Sequence, residues 1–238
     1  MLTKISFDGE KIWSRSVTEK EGNISGLING KNPDHFDAIG YLPDTNLLSF
    51  ENTDGGPGQV INFTDNPFSA NGITQNNKHI FISNNHMNRQ DGASELSLYK
   101  ISRDDKELLA QETYPTKNPY NRQISFDISA LHSTGAIIST GYVEDHGNNT
   151  GETKAYVLKM NPDLSTAWQF INNNTSKREQ AEGTFSLTNG GVGVIVNART
   201  PISNPCHLCS ESIVGDRINT SINSTVVLYR LDKDGRLR

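Results

Sequence analysis

The amino-acid sequence predicts an all-β fold assembled from four-stranded antiparallel units, and three observations carry that prediction. Turn formers are dense: Asn supplies about one residue in nine and Gly is plentiful, and both favour tight turns between short strands. No segment sustains a 3.6-residue apolar period, whereas apolar runs of strand length are bounded by Gly and Asn. A hairpin-like segment recurs along the chain with the same chemistry at the same spacing.

The first copy is Lys4-Ile5-Ser6-Phe7-Asp8-Gly9-Glu10-Lys11-Ile12-Trp13, which reads as strand, Asp-Gly turn and strand. Its relatives run from Leu98 to Gln111, Val157 to Phe170 and Leu228 to Leu237. Aligned on the cation they share Lys4, Lys100, Lys159 and Arg230, each followed by an apolar residue. Four positions later comes Asp8, Asp104, Asp163 or Asp234, and then the apolar pairs Ile12-Trp13, Leu108-Leu109 and Ala167-Trp168. Each later hairpin follows a strand, a Gly/Asn turn and an apolar strand: Gly72 to Asn85, Ser129 to Val143 and Phe185 to Ala198. Ala38 to Asn52 is expected to be a weaker copy of that strand pair, followed by a degenerate hairpin near Gln59 to Asp65. Asp104 to Gln111 looks helical in isolation, but the repeat register makes it a turn and a strand.

Four short strands in about 45–60 residues are the size and strand count of a β-propeller blade. The expected organisation is a single β-propeller region over 1–238. It comprises a half-blade at 1–17, a degenerate blade at 18–68, blades at 69–119 and 120–179, and a blade at 180–238 with a truncated last strand. The first hairpin occupies the third and fourth strands of a blade, and the last copy already supplies a third strand before Arg238. A partial propeller of about four modules plus a half-blade is therefore expected, with edges open unless another segment covers them.

Composition narrows the function. The net charge is -5, the pI is near 5.7 and the cations are scattered, which argues against a nucleic-acid surface. No apolar run approaches the roughly 20 residues of a membrane span. The first residues lack the apolar core of a secretory signal, so the suspected extracellular or periplasmic location is not encoded in the residues given, although an upstream segment could carry it. Cys206 and Cys209, with His207 between them, are the only cysteines. A loop-stapling disulfide is the preferred reading, ahead of free thiols and of metal or redox use. No second pair completes a zinc site, and Ser210 stands where c-type haem attachment needs His. A disulfide would place the protein in an oxidising compartment.

Glu144, Asp145 and His146 fall in a loop after a blade strand, where they could line a face or hold an ion, beside the plainer reading of a solvated loop. His86 and His132 lack a nucleophile-elbow Gly-x-Ser-x-Gly to serve. The repeated Asp is read as a turn cap, since Leu231 to Arg236 lacks the length and closing Glu of a calcium loop. The repeated cation is read as an exposed strand position paired with a carboxylate on the next blade, and Trp13 and Trp168 as packing between blades.

The segments Ala155 to Trp168 and Thr134 to Tyr142 resemble the quinoprotein-like and related bacterial β-propeller repeats, whose pattern is apolar-Lys-apolar-Asp-x-x-Gly-x-x-x-Trp after a Gly-rich strand pair. The resemblance covers most of the chain and implies fold rather than chemistry. In the quinoprotein dehydrogenases, Trp-containing docking motifs close the blades around pyrroloquinoline quinone and calcium. This chain lacks the Thr-Gly that precedes the Trp in that motif, and it lacks their adjacent Cys-Cys pair. The expectation is a non-enzymatic scaffold or binding module for a protein or carbohydrate ligand, exported or attached to a cell surface, with no cofactor. The alternative is a fragment of a quinoprotein-like or hydrolytic enzyme that needs further blades and, in the first case, calcium and the quinone.

Overall fold

A computed structural model of the chain describes residues 2–15, 23–30, 35–41, 47–51, 59–61, 70–87, 94–116, 122–131, 134–144, 153–173, 178–199 and 224–238. Every regular element among these residues is a strand. β1 (Leu2–Ile5) and β2 (Lys11–Arg15) form a hairpin, and β3 (Asn23–Asn29), β4 (His35–Tyr41), β5 (Leu47–Glu51) and β6 (Gln59–Ile61) form an antiparallel sheet in that order. β7 (Ala70–Gln75), β8 (His79–Met87), β9 (Ser94–Ser102) and β10 (Leu108–Tyr114) repeat the pattern. So do β11 (Arg122–Ala130), β12 (Ile137–Glu144), β13 (Thr153–Met160) and β14 (Thr166–Ile171). The last sheet holds β15 (Arg178–Ser186), β16 (Val192–Arg199) and β17 (Ser224–Leu231), with a further bridge between Leu231 and Leu237. A single parallel bridge, Arg122 to Ser94, joins the first strand of the third four-stranded sheet to the start of β9 in the second.

These sheets are the blades of a β-propeller. The first strands β3, β7, β11 and β15 lie beside one another in sequence order, and the sheets stack face to face outward from them. Three apolar clusters fill three successive interfaces. Ile39 and Ala70 meet Ile80, Ile82, Tyr99 and Ile101. Phe81, Leu96 and Leu98 meet Ile137, Tyr156, Leu158 and Met160. Ile138, Ala155 and Val157 meet Ala181, Val192, Val194, Val196 and Leu231. Each wholly buried Leu, Ile or Val contributes about 1.5–3 kcal/mol, so the interfaces, not the isolated sheets, hold the fold together.

The turns follow from local chemistry. Gly9, Gly135, Gly190 and Gly235 take positive φ in hairpin turns, and so do the non-glycines Lys106 and Leu164. Asn76 Oδ1 accepts the N–H groups of Lys78 and His79, and Asn189 Oδ1 accepts that of Gly191, closing two first-to-second-strand turns.

One assignment inside 18–68 needs correction. The expected first strand there, Ala38 to Tyr41, belongs to the second strand, and Leu47–Glu51 is the third rather than the second. The first strand is Asn23–Asn29, whose polar residues hid it from a search for apolar runs. Asp104 to Gln111 is a turn leading into β10, as the repeat register requires.

Candidate functional site

The four first strands share a device that the sequence search missed. Each carries a β-bulge against its second strand at the same place in the repeat, after Ile24, Ala70, Ser125 and Ala181. The extra residues are Ser25, Asn71, Phe126 and Glu182. The positions that follow are Gly26, Gly72, Asp127 and Gly183. A bulge twists a strand and re-aims its side chains, so the inner edge becomes an ordered row rather than a flat, sticky edge. A Gly one residue after a polar residue, in three of the four first strands, was the legible signal, and aligning only the outer hairpins passed over it.

Glycine is required at two of these places by close approach. A Cβ on Gly26 would lie 2.6 Å from Ile73 on the next blade, and one on Gly72 would lie 3.1 Å from the Ile128 amide nitrogen on the next. Asp127 breaks the pattern. Its carboxylate accepts the N–H of Ile128 and sits beside Gly183, where an added Cβ would be 3.8 Å from Asp127 Oδ2. Burial raises the carboxyl above the usual carboxylate range, opposed by the Ile128 hydrogen bond.

The edge of β11 is otherwise closed by side chains of the preceding blade. Ser94 Oγ accepts the Gln123 N–H at 2.9 Å and donates to the Gln123 carbonyl at 2.7 Å. The Asn85 amide mimics a peptide group, accepting the Ser125 N–H at 2.8 Å and donating to the Ser125 carbonyl at 2.9 Å. Thr74 Oγ1 accepts the Ala130 N–H at 3.1 Å. Ser25 Oγ makes the corresponding link one blade earlier, donating to the Ala70 carbonyl at 2.5 Å.

The outer hairpins interlock by a second repeated set. Lys100 Nζ donates to the Pro162 carbonyl at 2.8 Å on the next hairpin turn, and its charge helps hold the Asp163 carboxyl below its usual range, behind the Ser165 hydrogen bonds that dominate. Lys159 is buried rather than exposed. Its Nζ lies 5.7 Å from the centroid of the Trp168 ring, and burial lowers its pKa against the opposing charge of Asp234 on the next blade. Trp168 Nε1 donates to the Lys233 carbonyl at 2.9 Å, and its ring covers Gly235 of the next hairpin. Trp13 stacks on Phe36 of β4 with ring centroids 6.2 Å apart. Lys100 thus faces the next hairpin through a carbonyl, while Lys159 lies over the indole of its own hairpin, which in turn covers the next.

Turn capping also falls on a different residue than expected in three of the hairpins. Asp163 does cap its own turn through the Ser165 N–H at 3.0 Å. Elsewhere the position two after the cation does so. Ser6 Oγ accepts the Glu10 N–H, Ser102 Oγ the Asp104 N–H, and Asp232 Oδ1 the N–H groups of Asp234 and Arg236. Ser, Asn or Asp at that position in all four copies was the readable sign.

A buried polar triad joins the third blade to the last. Tyr229 O–H donates to Glu179 Oε1 at 2.6 Å, while Asn172 Nδ2 bonds Glu179 Oε2 at 2.9 Å and the Tyr229 oxygen at 2.8 Å. Its partners are mutually satisfied, so it works as a clamp.

Of the residues singled out from sequence, Glu144 is the last residue of β12 rather than part of a loop, in register with Arg122 and Thr153. Asp145, His146, Cys206, His207, Cys209 and His132 lie outside the described residues. Among the described residues no three His, Cys, Asp or Glu side chains converge to hold a metal ion, and no helix is long and apolar enough to cross a membrane.

Fold and inner-edge geometry together define a protein of the β-propeller class. No protein-family model and no curated protein matches the chain. Among solved structures it is similar to one described as "YCF48 bound to D1 peptide", at 14% identity and a TM-score of 0.29. That match covers 76% of this chain and 64% of the other, so this chain spans less than two thirds of that protein's length.

Proposed function

We propose that the protein is a non-enzymatic β-propeller binding scaffold whose recognition surface is the bulged inner edge of its blades. The observation that carries this reading is the bulged inner edge, where Asp127 replaces the glycine that follows the bulge and Glu182, the bulged residue of the adjacent strand, is exposed. A half-buried carboxylate with no cationic partner among the described residues, in a chain of net charge -5, suits a partner that brings its own cation. The favoured ligand is a protein segment carrying Lys or Arg, with carbohydrate as the competitor. Calorimetric titration with a Lys-containing peptide, its acetyl-lysine form and a neutral oligosaccharide tests this. Asp127→Asn and Glu182→Gln are each expected to weaken binding of the cationic peptide several-fold. Equal affinity for all three ligands, or none altered by the two variants, would defeat the reading. An exported or surface-attached location goes with it if Cys206 and Cys209 are bonded.

A second reading has one observation in its favour. The Trp168 ring lies on Gly235 of the next hairpin with its N–H bound to the Lys233 carbonyl, a contact between blades that would suit the Trp-mediated closure the quinoprotein-like resemblance implies. The described residues do not assemble a carboxylate cage for calcium, so no chemical step is drawn through calcium or the quinone. An absorption spectrum with calcium and quinone titration separates the two readings.

A further inference from the structure

Two equivalent positions of the inner edge change character together in the third blade. Asn85 and Tyr142 stand four residues after Phe81 and Ile138, the partners of the repeated Lys100 and Lys159, so they share one place in the repeat. In the second blade this place and the bulge form a polar pair. Asn71, the bulged residue, accepts the Asn85 N–H on its Oδ1 at 3.3 Å, and the Asn85 amide holds the Ser125 peptide of the next blade. In the third blade the same two positions are Phe126 and Tyr142, both partly exposed, with ring centroids 5.4 Å apart and planes inclined by 53°. A phenol cannot copy the Asn85 amide, which offers a peptide group separate donor and acceptor atoms. The amide latch has given way to an aromatic surface, where β12 packs on β15 and its bulged residue Glu182.

The residue after the bulge changes in the same blade. Glycine holds that position in the other three first strands, and β11 has Asp127. Asp127 stands opposite Thr140 on β12, so the two side chains share one face of the sheet. Thr140 is 1% exposed, and its Oγ1 has no hydrogen-bond partner among the described residues. Its counterpart Ser83 donates to the Gly72 carbonyl at 3.4 Å. A buried hydroxyl left unpaired beside a half-buried carboxylate is a pair of acceptors that a donor from outside would satisfy. Ring and acceptors therefore come from consecutive residues of one strand, with the exposed Glu182 one strand further on. That combination separates two cations of equal charge. A guanidinium is flat, weakly hydrated and carries five donors, so it stacks on a ring while donating in its own plane. An ammonium is a strongly hydrated point charge that loses more on leaving water for the same carboxylate.

We propose that the inner edge of the third blade selects arginine over lysine in its protein partner, the guanidinium stacking on Phe126, which Tyr142 supports, and donating to Asp127 and Thr140. Glu182 adds charge at the mouth of the site. This inference rests on the reading of the inner edge as a surface for a cationic protein segment, and it names the side chain of that segment that is recognised. Charge alone supplies no such preference. Citrulline, which keeps the planar shape of arginine without its charge, separates the stacking contribution from the ionic one.

NMR titration of the full chain with three blocked pentapeptides, alike except for Arg, Lys or citrulline at the centre, tests it. The Arg peptide is expected to bind about tenfold more tightly than the Lys peptide, and the citrulline peptide more weakly than the Arg peptide. The Cδ protons of the bound Arg should move upfield in the ring current of Phe126. Phe126→Leu, at a partly exposed site and checked for folding by circular dichroism, is expected to bring the Arg peptide down to the Lys level and to abolish the upfield shift. Phe126→Tyr is expected to keep both. Equal affinity of the Arg and Lys peptides for the parent, a comparison that needs no variant, overturns the inference. So does an Arg preference undiminished in folded Phe126→Leu. If the two cationic peptides bind equally and Asp127→Asn weakens both alike, the arginine preference fails while the cationic inner-edge reading stands. If neither binds, both fail.

Discussion

Two charged residues show how differently burial acts on a single side chain. Asp37 is wholly buried on β4, and its one ionic partner among the described residues is Lys106, which reaches it from the β9–β10 turn while holding a left-handed backbone. Removing one member of such a pair leaves an uncompensated charge in a low dielectric, which costs about 3–5 kcal/mol. Lys106→Met is therefore expected to lower stability by that order in denaturant titration, and Asp37→Leu added to it to recover much of the loss. Asp127 has the opposite sign. Its folded pKa is raised by burial, so the native state holds its proton at pH values where the unfolded chain has released it. Its ionisation opposes folding as pH rises from the usual carboxylate range through the raised value. Asp127→Asn, which keeps an acceptor for the Ile128 N–H, is expected to raise the melting temperature at neutral pH. That gain vanishes in acid below the usual carboxylate range. A gain that persists unchanged in acid would show that the carboxylate charge is not its source.

At the scale of the element, the hairpin is the unit that reads in both sequence and structure. Its turn is capped by Ser6, Ser102, Asp163 or Asp232, and its cation and tryptophan reach the neighbouring hairpin. Gly235 serves both purposes, since its φ is +79° and an added Cβ would lie 2.6 Å from the Trp168 ring. Gly235→Ala combines backbone strain with overpacking and is expected to cost about 1–3 kcal/mol. The emission of Trp168 should shift as its ring is pushed toward water. An unchanged spectrum and stability would mean that the turn and the ring are not in contact. The bulges, by contrast, were invisible to a hairpin alignment. They depend on two strands pairing out of step, and the first strand carries only an indirect sign of it, the Gly that follows the bulged residue in three of the four.

For the whole molecule, the three apolar clusters occupy successive interfaces instead of one shared centre. Coupling then runs mainly between neighbours, as in other repeat architectures. Leu98→Ala, in the interface between the second and third four-stranded sheets, is expected to cost about 2–5 kcal/mol. Amide exchange should rise in β7–β10 and β11–β14 well before it rises in β15–β17. Uniform loss of protection across all blades would show a single cooperative core instead.

The sequence by itself determined the four-strand period, the outer hairpins and, in one of the four, the Asp that caps the turn. Each follows from contacts between residues a few positions apart, such as Asp163 with Ser165, or from alternation within one strand. It did not reveal β3, because Asn23–Asn29 is too polar to announce a strand and is held by pairing with β4. Nor did it reveal that Lys159 is buried against Trp168 while Arg230, its repeat equivalent, lies exposed. Identical local codes reach different environments here because burial is decided by which sheet stacks on which. That choice belongs to residues some 60 positions apart, such as Lys100 and Pro162, and only the folded chain brings them together.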